Sequence, residues 1–94
     1  MKIRFFGSSN CKDCLALFVI LEKFQVNYKY IDGHAEEVQD FCDEQDVDEL
    51  PHLQFIDDDD NLIIEHIGPI DEKEFTTYLK KYFPTYWKAI IFLL

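Results

Sequence analysis

A chain of 94 residues is the size of one domain, since domains commonly hold roughly 100 to 150 residues and two separate cores would not fit. At 48% hydrophobic, with nine Phe and five Tyr, it carries too much core material for a disordered protein, and three Cys are too few for a disulfide-stapled secreted fold. Nine Lys plus Arg against nineteen Asp plus Glu leave a formal charge of −10, with no Lys or Arg from Asp32 to Asp60, which argues against nucleic acid and against an anionic membrane surface as partners.

Lys2 to Phe6 is a short apolar run ended by Gly7, Ser8, Ser9 and Asn10, the pattern of a buried strand that turns directly into a helix. The run is shorter than the roughly 7 to 15 apolar residues of a secretory signal, so no export signal is expected and the expected location is cytoplasmic. Asn10 is the expected N-cap, with Asp13 three residues on, and Leu17, Ile20, Leu21 and Phe24 fall at i, i+3, i+4 and i+7; together they predict a helix from about Cys11 to Phe24. Val26, Tyr28 and Tyr30 alternate with Asn27, Lys29 and Ile31 in a half-buried second strand that Gly33 closes.

Glu36 and Glu37 suit the positive end of a second helix, whose face continues through Val38, Phe41, Cys42 and Gln45 and ends near Val47. On that face Cys42 is expected to be an inert core thiol. Pro51 forbids further helix, Leu53 to Ile56 reads as a strand, the acidic run Asp57 to Asp60 with Asn61 as a turn, and Leu62 to Ile67 as the returning strand of a hairpin. After Gly68 and Pro69, the acidic capping pair Asp71 and Glu74 opens a helix with Phe75, Tyr78, Leu79 and Tyr82 on one face before Pro84.

The order is βαβαββα. A helical connection makes the first two strands parallel through a right-handed crossover, and the hairpin makes the last two antiparallel, so the fold class is α/β with a mixed four-stranded sheet flanked by helices. Residues 1–84 are expected to form this domain. Residues 85–94 are an apolar extension, too short for the about 20 residues of a membrane span, expected to pack on the same domain or in a dimer contact.

The motif that carries chemistry is Cys11-Lys12-Asp13-Cys14 at the first strand-to-helix junction. A cysteine in the first turn of a helix meets unpaired backbone N–H groups and the positive end of the helix dipole, which favour a thiolate. Cys11 is therefore the candidate nucleophile, and Cys14, one turn further on the same side, the candidate resolving thiol that attacks a mixed disulfide on Cys11. Lys12 should assist the thiolate. A zinc site would need a second Cys pair or a close His pair, and Cys42, His34, His52 and His66 are scattered, so no metal is expected.

A C-x-x-C at the start of the first helix, the order βαβαββα, and a proline opening the third strand resemble the glutaredoxin branch of the thioredoxin-like superfamily over about Met1 to Phe83. The resemblance implies reversible dithiol–disulfide exchange by Cys11 and Cys14. It makes Pro51 a cis-proline whose preceding backbone at Leu50 pairs with the substrate peptide or glutathione, and it makes Gly68 and Asp71 the remnant of a glutathione-holding segment. Lys12-Asp13 stand where relatives carry Pro-Tyr or Pro-Phe, and the acidic second helix lacks the basic residue that meets a glutathione carboxylate. General dithiol activity is therefore expected ahead of glutathione specificity, with no cofactor beyond the Cys11–Cys14 pair. The expected partners are a disulfide-containing protein or small molecule and a protein reductase or dithiol donor. The alternative is a non-catalytic domain that keeps the fold and binds a protein.

Overall fold

A computed structural model describes residues 1–93; Leu94, the last residue of the expected extension, lies outside the described residues. The described residues form four strands, β1 (Lys2–Gly7), β2 (Tyr28–Asp32), β3 (His52–Ile56) and β4 (Leu62–Ile67), and four α-helices, α1 (Lys12–Lys23), α2 (Gln39–Glu44), α3 (Glu72–Tyr82) and α4 (Pro84–Leu93), in the order β1-α1-β2-α2-β3-β4-α3-α4. The sheet order is β2-β1-β3-β4, with β1 parallel to β2 and antiparallel to β3, and β3 antiparallel to β4. The connection back to a parallel neighbour needs α1, whereas β3 and β4 need only the acidic turn, where Asp57 Oδ1 accepts the N–H groups of Asp59 and Asn61.

Strand alternation divides the apolar residues between two faces. Ile3 and Phe5 of β1 and Leu53 and Phe55 of β3 join Leu17, Leu21 and Phe24 of α1 and Phe75 and Leu79 of α3 in the main core. On the opposite face Phe6, Ile31 and Cys42 form a smaller cluster beneath α2, with Val38, Phe41 and Val47 packed against it. Gln54 is buried on this smaller face, where its amide takes a hydrogen bond from Arg4 and gives one to Gln45.

Helices α1 and α2 both stop without glycine. In each the residue past the cap takes a positive φ, Gln25 at 51° and Asp46 at 55°. The next residue's N–H then reaches back five positions, Val26 to Leu21 O and Val47 to Cys42 O, and consumes the carbonyls that a helix end leaves orphaned.

Three elements add to or depart from the expectations. The alternation expected of the second strand left its buried side open; in the structure Tyr30 is exposed and Ile31, on the opposite face, is buried, because an edge strand is only partly covered on either side. The second helix is broken into a 3-10 turn, Glu36–Val38, and a short α2; Val38, at φ −110° and ψ 6°, leaves helical geometry between them. The C-terminal segment, expected only as an apolar extension, forms a ten-residue helix. Pro84 occupies its first position, where a missing N–H costs no hydrogen bond. From that helix Ile90 enters the main core and Trp87 lies 6.1 Å from Phe24 between ring centroids.

Candidate active site

The end of β1 delivers the chain to a turn built by Ser8. Its buried side chain accepts the N–H of Asn10, and its carbonyl accepts the N–H of Cys11, both at 3.3 Å. These two bonds place Cys11, not Asn10, at the N-cap of α1, correcting the expected cap by one residue. Cys11 is extended, with φ −99° and ψ 114°, and its Sγ accepts the N–H of Cys14 at 3.1 Å. A sulfur thus does the work usually given to a side-chain oxygen, and it sits where the positive end of the helix meets solvent.

The two thiols of the pair have opposite surroundings. Cys11 is half-buried, whereas Cys14 is fully buried and belongs to the main core, one turn before Leu17 on the same helix stripe. Burial, and next the hydrogen bond with Cys11, push the Cys14 thiol up to about 12, with the Ser8 backbone opposing. Cys42, by contrast, lies in the smaller cluster, its thiol also pushed up by burial.

Across the turn, the Leu50–Pro51 peptide bond is cis and Pro51 is buried. Cys11 and Leu50 face one open cleft of about 330 Å³, lined also by Ser8, Asn10, His34 and Asp48. A side chain at position 33 would meet Leu50 Cδ2 at 2.9 Å, so Gly33 leaves Leu50 room to occupy the rim. Gly68 is tied to this place by its N–H, which donates to Pro51 O at 2.8 Å, and its φ of +91° is one that glycine adopts without strain.

The remaining candidates sit further out. Lys12 is exposed on the first turn of α1, beside Cys11 in the chain but not among the cleft's lining residues. Asp71 caps α3, its Oδ1 accepting the N–H of Glu74 at 2.7 Å. His52 is buried within the sheet, its ring against Phe6 and its Nε2 bonded to Glu65. Ser8, His34 and Asp48 were not singled out as site residues. Ser8 lay within a recognisable turn cluster, but His34 and Asp48 stand near the two ends of the single connection from β2 to β3 and reach Cys11 only through the sheet order, which no local pattern announces.

Among the described residues no helix is long and apolar enough to cross a membrane. No protein-family model and no curated protein sequence matches the chain. Solved structures do. Thioredoxin 1 from Thermosipho africanus superposes with a TM-score of 0.71 at 20% identity, covering 90% of this chain and 97% of that one. A thioredoxin variant from Halobacterium salinarum gives 0.74 at 21% identity over 86% of this chain and 73% of its own. Thioredoxin O2 from Arabidopsis thaliana gives 0.72 at 16% identity over 87% and 74%. At such identities the likeness is one of architecture. The chain therefore has the thioredoxin-like fold, a four-stranded mixed sheet flanked by helices.

Proposed function

We propose that this chain is a cytoplasmic, glutaredoxin-like dithiol oxidoreductase that reduces protein or small-molecule disulfides through Cys11 and Cys14. The observation that carries the reading is the N-cap placement of Cys11 Sγ, 3.1 Å from the Cys14 N–H and facing a cleft that Leu50 shares. The Cys11 thiolate attacks one sulfur of the substrate disulfide. That S–S bond breaks, the distal sulfur departs with the electron pair and takes a proton, and a mixed disulfide remains on Cys11. Cys14 then loses its proton and attacks Cys11 Sγ. The mixed disulfide breaks, the second substrate thiol leaves, and a Cys11–Cys14 disulfide remains. The substrate has gained two electrons and two protons; an external dithiol or a protein reductase returns both to the pair. The charge on the Cys11 sulfur before it attacks is met by the Cys14 N–H and the helix dipole.

The test compares intact protein with Cys11→Ser in reduction of a protein disulfide, with a dithiol as electron source. The variant is expected to lose all activity above the uncatalysed rate; equal rates would eliminate the enzyme reading in favour of a non-catalytic binding domain.

The same site orders its electron donors. The cleft is lined by Asp48 but by no Lys or Arg, and the chain from Asp32 to Asp60 carries no cation, so anionic glutathione approaches against the local field. Reduction of the Cys11–Cys14 disulfide by glutathione should be slow in dilute buffer and accelerate with added salt, as the Debye length falls from about 30 Å at 0.01 M to about 8 Å at 0.15 M. Stopped-flow rates across that range check it. Saturable reduction that slows with salt would reveal a cationic glutathione site and defeat the ordering.

A further inference from the structure

A second cleft, of about 230 Å³, lies on the α2 face of the sheet towards the starts of β1 and β2, whereas Cys11 follows the end of β1. Its lining includes Lys2, Arg4, Lys29, Ile31, Phe41 and Asp60. Three of the nine Lys and Arg of a chain with nineteen acids thus meet in one place. Lys2 is offset by Asp60, Nζ to Oδ1 at 2.7 Å. The other two cations are not offset. Arg4 donates from Nη1 to the neutral amide oxygen of Gln54 at 2.8 Å, and its guanidinium lies 5.2 Å from the centroid of the Phe41 ring. Lys29 is exposed and has no carboxylate partner among the described residues.

Arg4 and Lys29 are register partners on paired parallel strands, so their side chains are neighbours. Like charges in that position repel and destabilise the pairing unless an anion lies between them. The one acid that lines the cleft, Asp60, pairs with Lys2, which leaves Arg4 and Lys29 without a carboxylate between them among the described residues.

We propose that this cleft binds a small phosphate monoester. With Lys2 and Asp60 cancelling, Arg4 and Lys29 present two positive charges, which match the −1.5 to −2 that a phosphate monoester carries near neutrality (about that range). Arg4 offers the planar fork that fits two phosphate oxygens, Lys29 a single mobile ammonium, and Phe41 with Ile31 an apolar wall that limits competition from water. The volume exceeds several times the roughly 30 Å³ that one water takes in the liquid, leaving room for the organic part of an ester. A bilayer would have to bring its whole anionic surface against Asp60 at the rim and the exposed Asp58 and Asp59 of the same turn, whereas a free ester need meet only Arg4 and Lys29, so the ligand is a free ester and not a lipid headgroup.

The proposal is independent of the redox reading, and its test uses no redox readout. Inorganic phosphate and phenyl phosphate are titrated into the intact chain at constant ionic strength, followed by backbone amide NMR. Saturable shifts are expected at Arg4, Lys29, Ile31 and Phe41, with phenyl phosphate binding more tightly than phosphate. Lys29→Gln, at an exposed position, should weaken phenyl phosphate about tenfold, or ~1.4 kcal/mol. Lys88→Gln, which removes one charge elsewhere, should leave the constant unchanged. Shifts that rise without saturating, or an unchanged constant in Lys29→Gln, would overturn the site. Sedimentation with phosphatidic acid vesicles that depends on Lys29 would overturn its assignment to a free ester.

Discussion

Cys14→Ser is expected to halt disulfide reduction at its midpoint, leaving substrate covalently joined to Cys11. Only the Cys14 sulfur is held next to Cys11, with its own N–H on Cys11 Sγ at 3.1 Å, and without it the second displacement depends on thiol from solution. Well-oriented intramolecular reactions reach effective molarities of about 10⁵ M or more, so release of the second substrate thiol should slow by at least about 10³-fold at millimolar external thiol. The unmodified chain should show the complementary signature in its pH dependence. With the Cys14 thiol pushed up to about 12, chiefly by burial, Cys14 is almost wholly the neutral thiol at pH 7. A group titrating so high gains thiolate tenfold per pH unit, so resolution should accelerate nearly tenfold for each unit between about pH 6 and 9. Formation of the mixed disulfide removes the hydrogen bond between the two thiols, a lesser cause of the shift, but leaves the burial in place. Rapid-quench mass spectrometry reads both results. A flat pH profile, or normal release of both thiols by Cys14→Ser, would remove Cys14 from the resolving role.

How much of this could be read from the chain depends on how local the cause is. The stripe of α1 through Leu17, Leu21 and Phe24 follows from helical period alone, and Cys14 falls on its N-terminal continuation, so the burial that distinguishes Cys14 from Cys11 is a local consequence of spacing. The strand that Pro51 opens and the break at Gly68 are equally local. The cap was not. Asn10 and Cys11 are both able to accept at a helix start, and the choice between them was made by Ser8, whose two hydrogen bonds end the turn one residue later than cap preference alone suggests. Tertiary covering decided β2 as well: alternation shows that two faces exist, but only the position of the strand at the sheet edge leaves Tyr30 exposed and Ile31 under α2.

The least local features are the clefts. His34 follows β2 and Asp48 precedes Leu50, and they meet Cys11 because β1 lies between β2 and β3. Arg4 and Lys29, 25 positions apart in the chain, become neighbours only through the register of β1 against β2. Convergence of this kind is a property of topology, so composition can show that cations are scarce without showing that three of them gather.

Phe75→Ala should cost about 3 to 5 kcal/mol of stability, a large part of the roughly 5 to 15 kcal/mol that holds an ordinary domain together. Phe75 is fully buried on α3, its ring centroid 5.8 Å from Phe24 at the end of α1 and 5.9 Å from Phe55 on β3, so it joins the neighbouring helix and the sheet in the main core. Removing the ring leaves a cavity that rigid strands and two helices cannot fully close. At roughly 4 to 8 °C per kcal/mol for a domain of this size, the melting midpoint should fall by at least about 12 °C, whereas Phe75→Leu, which keeps most of the volume, should fall much less. The effect should also reach the thiols, because Cys14 is packed into the same core while Cys11 stands at the cleft. Below the melting transition, alkylation of Cys14 should rise in Phe75→Ala relative to that of Cys11, since the variant opens the core more often. Thermal denaturation followed by circular dichroism, with peptide-resolved alkylation, measures both. A loss of stability below about 1 kcal/mol would show that the site collapses around the missing ring. Equal enhancement at the two cysteines would show that the resolving thiol is not protected by the core.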